Sequence, residues 1–395
     1  MSMTSTLVRS IAVMLCCAIA TNSSVGVAQT FDLSQLVPES KEFLLRQRRE
    51  LAAMKESPVT YEIRQIVKLD EIPQGADEIL IWIAIPSDEM NQRVLALGTD
   101  FIPGEWKIVE DADRRGKFLH ARITAPTSTS LQFPIDYTLT RSPVFTKIDP
   151  TSVLLLSELE RSLFAEHLAK DSLHMEVTSA VQGIADDVCG QETNIAMQSI
   201  ALMKHIAQSV DHYSYSNDPA MPRCGLGDAQ ACLAQGGGCC TDLNSLFIAL
   251  ARARGIPARL NMGYQVLEEN ADKLVDPGYR CWVEYYVPGY GWVSADVVEA
   301  DAPNGKGQVR WLTGLTSRRI WLNRGRQFRF ADAHADEPVN HMHIAYAEID
   351  GIPARILPAG NLAPQLTRQI KFIQISPTDA QLEKSSSLTG AASKE

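Results

Sequence analysis

The fold is decided by residues 236–259, which read GGGCCTDLNSLFIALARARGIPAR. A glycine run here precedes two adjacent thiols, Cys239 and Cys240, and apolar side chains then recur at the spacing of one helix face. Gly255 is the usual left-handed terminator of a helix, and Pro257 prevents the helix from continuing. The stretch therefore predicts a loop, a helix that begins at the thiols, and a sharp end at Gly255.

The position of Cys240 also predicts its chemistry. A thiol in the first turn of a helix faces unpaired backbone N–H groups and the positive end of the helix dipole. Both stabilise a thiolate, so we expect the pKa of Cys240 to lie below its ordinary value. Cys240 is therefore a candidate nucleophile.

Length and composition are those of an ordinary globular protein. The chain has 395 residues, of which 45% are hydrophobic and 21% are charged, and this length accommodates two or three domains. The formal net charge of −10 argues against nucleic acid or an anionic membrane as a partner.

The first residues have the pattern of a cleavable export signal. Arg9 precedes an apolar run, residues 11–20, and small residues that end at Ala28 suit cleavage by signal peptidase. The alternative is an uncleaved membrane anchor, but the apolar run is shorter than the roughly 20 residues that a span needs. We therefore expect an exported protein, periplasmic or secreted, that begins at Gln29 and has no membrane span after cleavage.

Export bears on the cysteines that remain in the mature chain. In an oxidising compartment, some of Cys189, Cys224, Cys232 and Cys239 can form disulfides. The sequence leaves their connectivity open.

Outside the thiol helix, the chain changes its pattern along its length. A helix is predicted from Ser40 to Lys55, and helical periodicity returns at residues 157–168 and 193–210. Between these helices, short β-type runs separated by turn residues suggest an antiparallel sandwich or barrel. Those runs are residues 60–69, 78–85, 117–123 and 131–139.

These changes divide the chain into six predicted segments. They are a signal peptide at 1–28, a helical arm at 29–57, an N-terminal β domain at 58–148, a core at 149–330, a C-terminal β segment at 331–375 and a disordered tail at 376–395.

A hairpin is predicted at residues 279–296, which read YRCWVEYYVPGYGWVSAD. Aromatic and β-branched residues flank a turn that contains Pro288 and Gly289. Folding this stretch back on itself brings Arg280 and Asp296 to within roughly three residues of direct opposition at the open end. Two polar side chains of the hairpin can therefore meet the thiol of the helix.

Several motifs follow one another in a specific order. They are Cys-Thr-Asp at the helix start, Gly-Ile-Pro-Ala-Arg after the helix, Cys-Trp-Val-Glu, Pro-Gly-Tyr-Gly-Trp-Val, and a following Asp. In this order they resemble the bacterial transglutaminase-like proteins, a branch of the papain-like thiol fold. The resemblance covers most of residues 58–375, with sharp motifs only in 225–300. It implies an α+β fold in which a Cys-bearing helix packs on an antiparallel sheet, preceded by a β-sandwich-like domain.

The resemblance also implies a Cys-His-Asp triad that attacks an amide carbonyl through the thiolate and forms an acyl-enzyme. Cys240 matches the nucleophile and Asp296 matches the orienting carboxylate. The position before Cys-Trp-Val-Glu, where the family has His, holds Arg280 in this chain.

Arg280 changes the expected chemistry. Arginine stays protonated in proteins, so it cannot accept the thiol proton or return one to a leaving amine. Loss of a positioned acid or base typically removes about 10² to 10⁴ in rate. Efficient amide cleavage by the family's mechanism is therefore not expected, and we expect Asp296 to pair with Arg280 as a salt bridge.

Histidines elsewhere are the possible substitutes for the missing base. His212 is the best placed, because it lies on the segment that enters the glycine-rich loop, while His205, His341 and His343 are near segments that could approach the site. The alternative for each is a hydrogen-bonded structural histidine.

Three further residues are candidates for substrate binding: Trp282, Gly238 and Cys239. The alternatives are sheet core for Trp282, and a disulfide or simple packing for Cys239. We expect no metal and no cofactor, because adjacent thiols and distant histidines do not make a zinc motif.

The sequence therefore leads to two functional hypotheses. The first is an exported transglutaminase-like protein with a degenerate thiol site, which binds peptide or amide ligands with little or no triad catalysis. The second is an active cysteine peptidase, amidase or acyl transferase that acts through a Cys240 acyl-enzyme with a substitute base.

Overall fold

The computed structural model describes residues 38–53, 57–111, 115–223, 226–275, 279–303, 305, 308–343, 345–356 and 361–375. The predicted signal peptide, the predicted tail and Cys224 lie outside these residues. Among the described residues, none of the helices combines the length and the apolar character that a bilayer span requires.

Helices and strands alternate in blocks along this part of the chain. The helices are α1 (Pro38–Ala53), α2 (Glu158–Leu163), α3 (Ala165–Leu168), α4 (Ser179–Cys189), α5 (Ile195–Ser209), α6 (Ala229–Gln235), α7 (Cys240–Ala253) and α8 (Val297–Asp301). The strands are β1 (Val59–Leu69), β2 (Glu78–Ile85), β3 (Gln92–Gly98), β4 (Glu105–Glu110), β5 (Lys117–Thr124), β6 (Leu131–Arg141), β7 (Val144–Phe145), β8 (Asp211–His212), β9 (Gly237–Gly238), β10 (Ala258–Gln265), β11 (Arg280–Val287), β12 (Gly291–Ala295), β13 (Gly314–Leu315), β14 (Arg319–Arg324), β15 (Ala345–Ile349), β16 (Ile352–Pro353) and β17 (Leu366–Ile375).

Two antiparallel sheets form the β-rich part of the fold. One has the strand order β17-β1-β6-β3 and the other has the order β16-β15-β2-β5-β4. Their buried side chains share one hydrophobic core, which includes Ile63 and Val67 from β1 and Ile79 and Ile81 from β2. The predicted β-rich region before the thiol helix is confirmed.

Strands from the end of the chain complete both sheets. β15 pairs with β2, and β17 pairs with β1 from Leu69 to Thr60. A turn at Asp350 and Gly351 joins β15 to β16, with φ angles of 49° and 76° in the left-handed region. Both sheets therefore draw strands from before and after the thiol helix, and the division into domains stays a prediction.

A third antiparallel sheet carries the thiol helix. Its strand order is β12-β11-β10-β14, and α4, α5 and α7 share a hydrophobic core with it. Every residue of α7 is buried, so this helix lies inside the fold. The predicted arrangement of a Cys-bearing helix on an antiparallel sheet is confirmed.

Both ends of α7 form as the sequence predicts. The helix begins at Cys240, with Cys239 as its N-cap residue. Gly255 adopts a left-handed φ of 71°, and the N–H of Ile256 donates to the carbonyl oxygen of Ala251 at 3.0 Å. Pro257 follows, and the chain enters β10 at Ala258.

The predicted hairpin is β11 and β12, which are paired from Val283 opposite Ala295 to Val287 opposite Gly291. Continuing this register places Asp296 opposite Trp282, two residues from Arg280. The two candidate site residues therefore meet at the open end of the hairpin, as predicted.

The helix predicted at residues 157–168 is interrupted. Ser157 caps α2 in a reciprocal arrangement with Glu160, but α2 ends at Leu163 and α3 starts at Ala165. Between them, the ring of Phe164 packs against Tyr286 and Trp292 of the hairpin at centroid distances of 4.4 and 5.2 Å. The sequence predicts one continuous helix here, and the structure breaks it where Phe164 packs against the hairpin.

Gly263 provides a test of the sheet under the thiol helix. A Cβ at this position would clash with the carbonyl oxygen of Ile320 and lie 2.9 Å from the indole of Trp282, where neither backbone nor core can yield easily. We expect Gly263→Ala to lower the free energy of unfolding by about 1–3 kcal/mol in urea denaturation. The control is Gly183→Ala in α4, where a Cβ meets nothing within 4 Å. It should raise the free energy of unfolding by about 0.5–1 kcal/mol, and equal effects of the two variants would contradict the β10–β14 packing.

Candidate functional site

Cys240 is held in place by contacts around the first turn of α7. The N–H of Cys239 donates to Oδ2 of Asp242 at 2.9 Å, and the amide of Asn244 donates to the carbonyl oxygen of Cys240 at 2.7 Å. Oδ1 of Asp242 accepts the N–H of Asp228 at 2.8 Å, which ties the preceding loop to the same turn. Asp242 therefore caps the helix and positions the loop, and Cys240 is only 5% exposed.

The sulfur of Cys240 belongs to a chain of hydrogen bonds between thiols and hydroxyls. Its thiol donates to the sulfur of Cys281 at 3.6 Å, and Cys281 lies 3.2 Å from Oγ1 of Thr241. Thr241 donates to the hydroxyl of Tyr279 at 3.1 Å, and that hydroxyl lies 3.4 Å from the sulfur of Cys239. Because a threonine hydroxyl has a single proton, and Thr241 gives it to Tyr279, Cys281 donates to Thr241. The Tyr279 hydroxyl donates to the sulfur of Cys239, which by itself lowers the pKa of that thiol. The proton of Cys240 therefore points to another thiol.

This environment reverses the expected shift in the pKa of Cys240. A hydrogen bond from Cys239 lowers the pKa, and so does the charge of Arg280, but the hydrogen bond to Cys281 and burial together raise it further. The net pKa of Cys240 lies well above its ordinary value. The prediction of a lowered pKa was wrong, because Cys240 is almost entirely buried at the helix end and its sulfur packs among neutral thiols.

Arg280 is buried at the start of β11 and is bound by carboxylates. Its Nη2 lies 3.0 Å from Oε1 of Glu299, and its Nε lies 3.9 Å from Oδ2 of Asp296. Burial lowers the pKa of Arg280, but the negative charges of Asp296 and Glu299 raise it further, so the guanidinium stays charged. Position 280 therefore holds a permanent cation that is 8% exposed.

The main partner of Asp296 is Arg319, which the sequence analysis did not identify. Oδ2 of Asp296 accepts bonds from Nε of Arg319 at 2.9 Å and from Nη2 at 2.6 Å, and Oδ1 accepts the N–H of Glu299 at 3.0 Å, which caps α8. Arg319 also reaches Glu299 at 2.7 Å. The expected salt bridge between Asp296 and Arg280 is therefore present, but it is longer than the bonds between Asp296 and Arg319. Together with Glu299, these residues form a cluster of four charged side chains.

A sequence signal for part of this cluster did exist. Asp296-Val-Val-Glu299 has the spacing of a helix N-cap followed by an acidic residue in the first turn. Arg319 carries no such local signal, because its partners Asp296 and Glu299 lie 23 and 20 positions away in the sequence and are brought close to it only by folding.

His212 lies beside the loop that leads to the thiols. In β8 it is paired in parallel with Gly238 of β9, and its Nδ1 accepts the N–H of Ser214 at 3.3 Å. Burial, followed by the charge of Arg280, lowers the pKa of His212 to about 3, against a smaller opposing effect of Asp296. Within the described residues, no histidine nitrogen forms a hydrogen bond with the sulfur of Cys240.

Comparison with known proteins agrees with the fold of the core around the thiol helix. A model of the Transglutaminase-like superfamily matches residues 182–297. The fold is similar to that of a candidate cysteine protease from Cytophaga hutchinsonii, with a TM-score of 0.52 and 17% identity, over 81% of this chain and 91% of that chain. The chain contains a transglutaminase-like core. At such low identity the structural match shows the fold alone.

A protein from Haemophilus influenzae whose function is uncharacterized is 28% identical to this chain over 229 residues. The match covers 50% of this chain and 60% of that relative, so this chain spans less than two thirds of the relative's length.

The transglutaminase-like core contains Cys240, Arg280 and Asp296 within the matched range. The match of this superfamily model to residues 182–297 supports a core of the cysteine-protease or transglutaminase type. Arg319, which bonds to Asp296, lies outside that range.

The predicted substrate-binding residues are differently placed. Trp282 is 1% exposed and packs with Leu315 and Trp321, so its indole belongs to the core and does not line a cleft. Gly238 must be glycine, because a Cβ there would lie 2.6 Å from Oδ2 of Asp242. Cys239 is a buried free cysteine at the N-cap position of α7.

His341 and His343 lie on the far side of Tyr279. Their Nδ1 atoms are 2.6 Å apart, and both rings pack against the ring of Tyr279. Tyr279 therefore links the two histidines to the thiols through ring packing. Burial lowers the pKa of His341 to about 4, and that of His343 also lies well below its ordinary value. In the described part of the chain, no group of three or more His, Cys, Asp or Glu side chains could hold a metal ion.

The cysteines that the structure describes are all free. They are Cys189, Cys232, Cys239, Cys240 and Cys281.

The charged cluster predicts a large and pH-dependent stability effect. Arg319→Met leaves the buried Asp296 with only the distant Arg280, so we expect the free energy of unfolding to fall by about 3–5 kcal/mol at pH 7. Burial raises the pKa of Asp296, but Arg319 and Arg280 bring it below its ordinary value. The stability from this depressed pKa is present above the unfolded pKa of about 3.9 and is lost as the pH falls through the folded pKa. The difference between wild type and variant should therefore shrink below about pH 4.

The matched control is Arg64→Gln, which breaks an exposed pair with Asp136 at 2.7 Å. Because both side chains are solvated, this change should leave the free energy of unfolding nearly unchanged. Urea denaturation of the two variants at pH 7 and at about pH 3 measures both effects, and equal costs at pH 7 would contradict a tightly bound Asp296–Arg319 pair.

Proposed function

We propose that this chain is an exported transglutaminase-like protein with a degenerate thiol site formed by Cys240, Arg280 and Asp296. In this proposal it binds peptide or amide ligands and has little or no triad catalysis. The transglutaminase-like core supports the class of ligand, and the chemistry of the three residues supports the loss of catalysis.

The proposal rests on the identity of Arg280 and on its ion pair with Glu299. Its guanidinium occupies the position at which the family has its base, and it is held by Glu299 at 3.0 Å. A guanidinium has donors only, so it can neither accept the proton of Cys240 nor cycle as an acid. Acyl transfer by the family's route requires both steps.

The thiol chain supports the same conclusion. Cys240 donates its proton to Cys281, and the raised pKa of Cys240 keeps the thiol protonated near neutral pH. The thiolate is the nucleophilic form. A site that keeps its sulfur protonated and lacks a base is suited to holding an amide and poorly suited to cleaving it.

One observation favours the second hypothesis, an active cysteine peptidase, amidase or acyl transferase. His212 is paired with Gly238, next to the loop that carries the thiols, although burial lowers its pKa to about 3 and so makes the neutral imidazole a weak base. Against it, Nδ1 already accepts the N–H of Ser214, so Nε2 carries the proton in that neutral tautomer. A role as base would require the other tautomer and an approach to Cys240.

Reverting Arg280 to histidine tests the proposal. Glu299 keeps Arg319 as a partner at 2.7 Å in Arg280→His, so the charged cluster does not lose all its cations. A positioned acid–base group is worth about 10²–10⁴ in rate. We therefore expect Arg280→His to hydrolyse casein and small amides faster than wild type by a factor of that order. The double variant with Cys240→Ala should show no activity.

Wild type should bind a glutamine-containing casein peptide in calorimetry without cleaving it, as judged by mass spectrometry. Turnover by wild type that equals that of Arg280→His would refute the degenerate site. Loss of that turnover in His212→Asn would then establish His212 as the substitute base.

Export is supported by the sequence alone, through Arg9, the apolar run at 11–20 and the small residues before Gln29. When the full chain is expressed in a bacterium, Edman sequencing of the protein from the periplasm or medium should begin at Gln29. Full-length protein confined to the cytoplasm would contradict export.

A further inference from the structure

The Cys240 sulfur contacts a second thiol on another element. Cys240 opens α7, and Cys281 is the second residue of β11, with 3.6 Å between the two sulfurs. Cys281 is fully buried and Cys240 is 5% exposed. Both side chains belong to the same hydrophobic core, so packing holds the helix and the strand in place relative to each other.

The separation of the two sulfurs is close to that of a bond. A disulfide has an S–S length of about 2.05 Å, so the two sulfurs must approach each other by about 1.5 Å in total. Small side-chain rotations can supply a movement of this size, shared between two thiols. Neither α7 nor β11 has to leave its place.

We propose that Cys240 and Cys281 are a redox pair, which a small hydroperoxide converts into a disulfide that blocks the Cys240 sulfur. This inference goes beyond the proposed function and does not depend on it, since the bond can form whether or not the site turns over amides.

The reaction balances without any group other than the hydroperoxide. The Cys240 sulfur, as thiolate, attacks one peroxide oxygen, the O–O bond breaks, and Cys240 becomes a sulfenic acid while water or an alcohol leaves. The Cys281 sulfur then attacks the Cys240 sulfur, the S–O bond breaks, and water leaves. Two thiols lose two electrons and two protons in total, and the peroxide gains them.

The exposures of the two thiols set the order of these steps. Cys240 retains some solvent access and Cys281 has none, so the oxidant reaches Cys240 first. Reduction proceeds by thiol–disulfide exchange: a small thiol attacks the Cys240 sulfur, Cys281 leaves as a thiolate, and a second small thiol releases Cys240 from the mixed disulfide. Because the pKa of Cys240 is raised, oxidation should be slow at neutral pH and faster as the pH rises.

Cys239 is a weaker partner for Cys240. Neighbouring Cα atoms are about 3.8 Å apart across a trans peptide, below the range of about 4.4–6.8 Å for disulfides. In addition, the sulfur of Cys239 already has the Tyr279 hydroxyl at 3.4 Å. A bond between Cys240 and Cys281 therefore requires less distortion.

The experiment treats the reduced mature protein with hydrogen peroxide at pH 7 and pH 9, blocks the remaining thiols, digests with trypsin, and maps disulfides by mass spectrometry. Trypsin separates Cys240, in residues 224–252, from Cys281, which follows Arg280. We expect these two peptides to become cross-linked, with loss of two hydrogens, faster at pH 9, and to separate again in dithiothreitol. Labelling of Cys240 by iodoacetamide should be lost after oxidation and should return on reduction.

Matched variants assign the bond, because residues 224–252 also contain other cysteines. Cys239→Ala should keep the cross-link, and Cys240→Ala and Cys281→Ala should each lose it. Thermal unfolding of each variant shows whether it is folded. Whether the cross-link forms at all is measured on wild type, without any variant. The proposal is overturned by the absence of a cross-link in oxidised wild type, by a bond confined to Cys239 and Cys240, or by a cross-link that survives in Cys240→Ala. None of these outcomes bears on amide binding or turnover.

Discussion

A guanidinium buried at position 280 is the constraint around which the site is built. Removing a charge from water is costly unless the charge is paired and hydrogen-bonded. Arg280 is 8% exposed, and Glu299 and Asp296 compensate its charge, while Arg319 balances the two carboxylates. The same four residues join the open end of the β11–β12 hairpin to the start of α8 and to β14. Position 280 of the proposed site therefore belongs to a structural ion cluster.

The thiols beside this cluster are governed by the opposite requirement, which is to remain neutral. A helix N-terminus favours a negative charge by only about 0.3–1 kcal/mol at an ordinary exposed position. Burying an unpaired anion costs several kcal/mol, so burial outweighs the dipole. The structure avoids that cost by passing hydrogen bonds from Cys240 to Cys281, Thr241 and Tyr279. A neutral hydrogen-bonded row of thiols and hydroxyls is stable, but it keeps the thiolate form of Cys240 scarce.

These two features also show what the sequence can predict. The helix that starts at Cys240 and the hairpin that joins Arg280 to Asp296 follow from local periodicity and turn residues, and both are present. Strands β3 and β4 were not predicted, because both are edge strands with mostly exposed side chains and lack a buried alternating face. Arg319 and the raised pKa of Cys240 could not be predicted either. Both arise from contacts between residues that are distant in the sequence.

Asp296 illustrates how a catalytic and a structural carboxylate can look alike in a sequence. In this structure it caps α8 and binds Arg319, so its burial and position are explained without any triad. A carboxylate offers about four lone-pair sites, and the N–H of Glu299 and the two Arg319 nitrogens take up only part of them. Nε of Arg280, at 3.9 Å, does not reach the carboxylate and has no hydrogen-bond partner. In the proposed degenerate site, the acceptor that would orient an imidazole at position 280 is therefore still in place, and Arg280 stands where that imidazole would be.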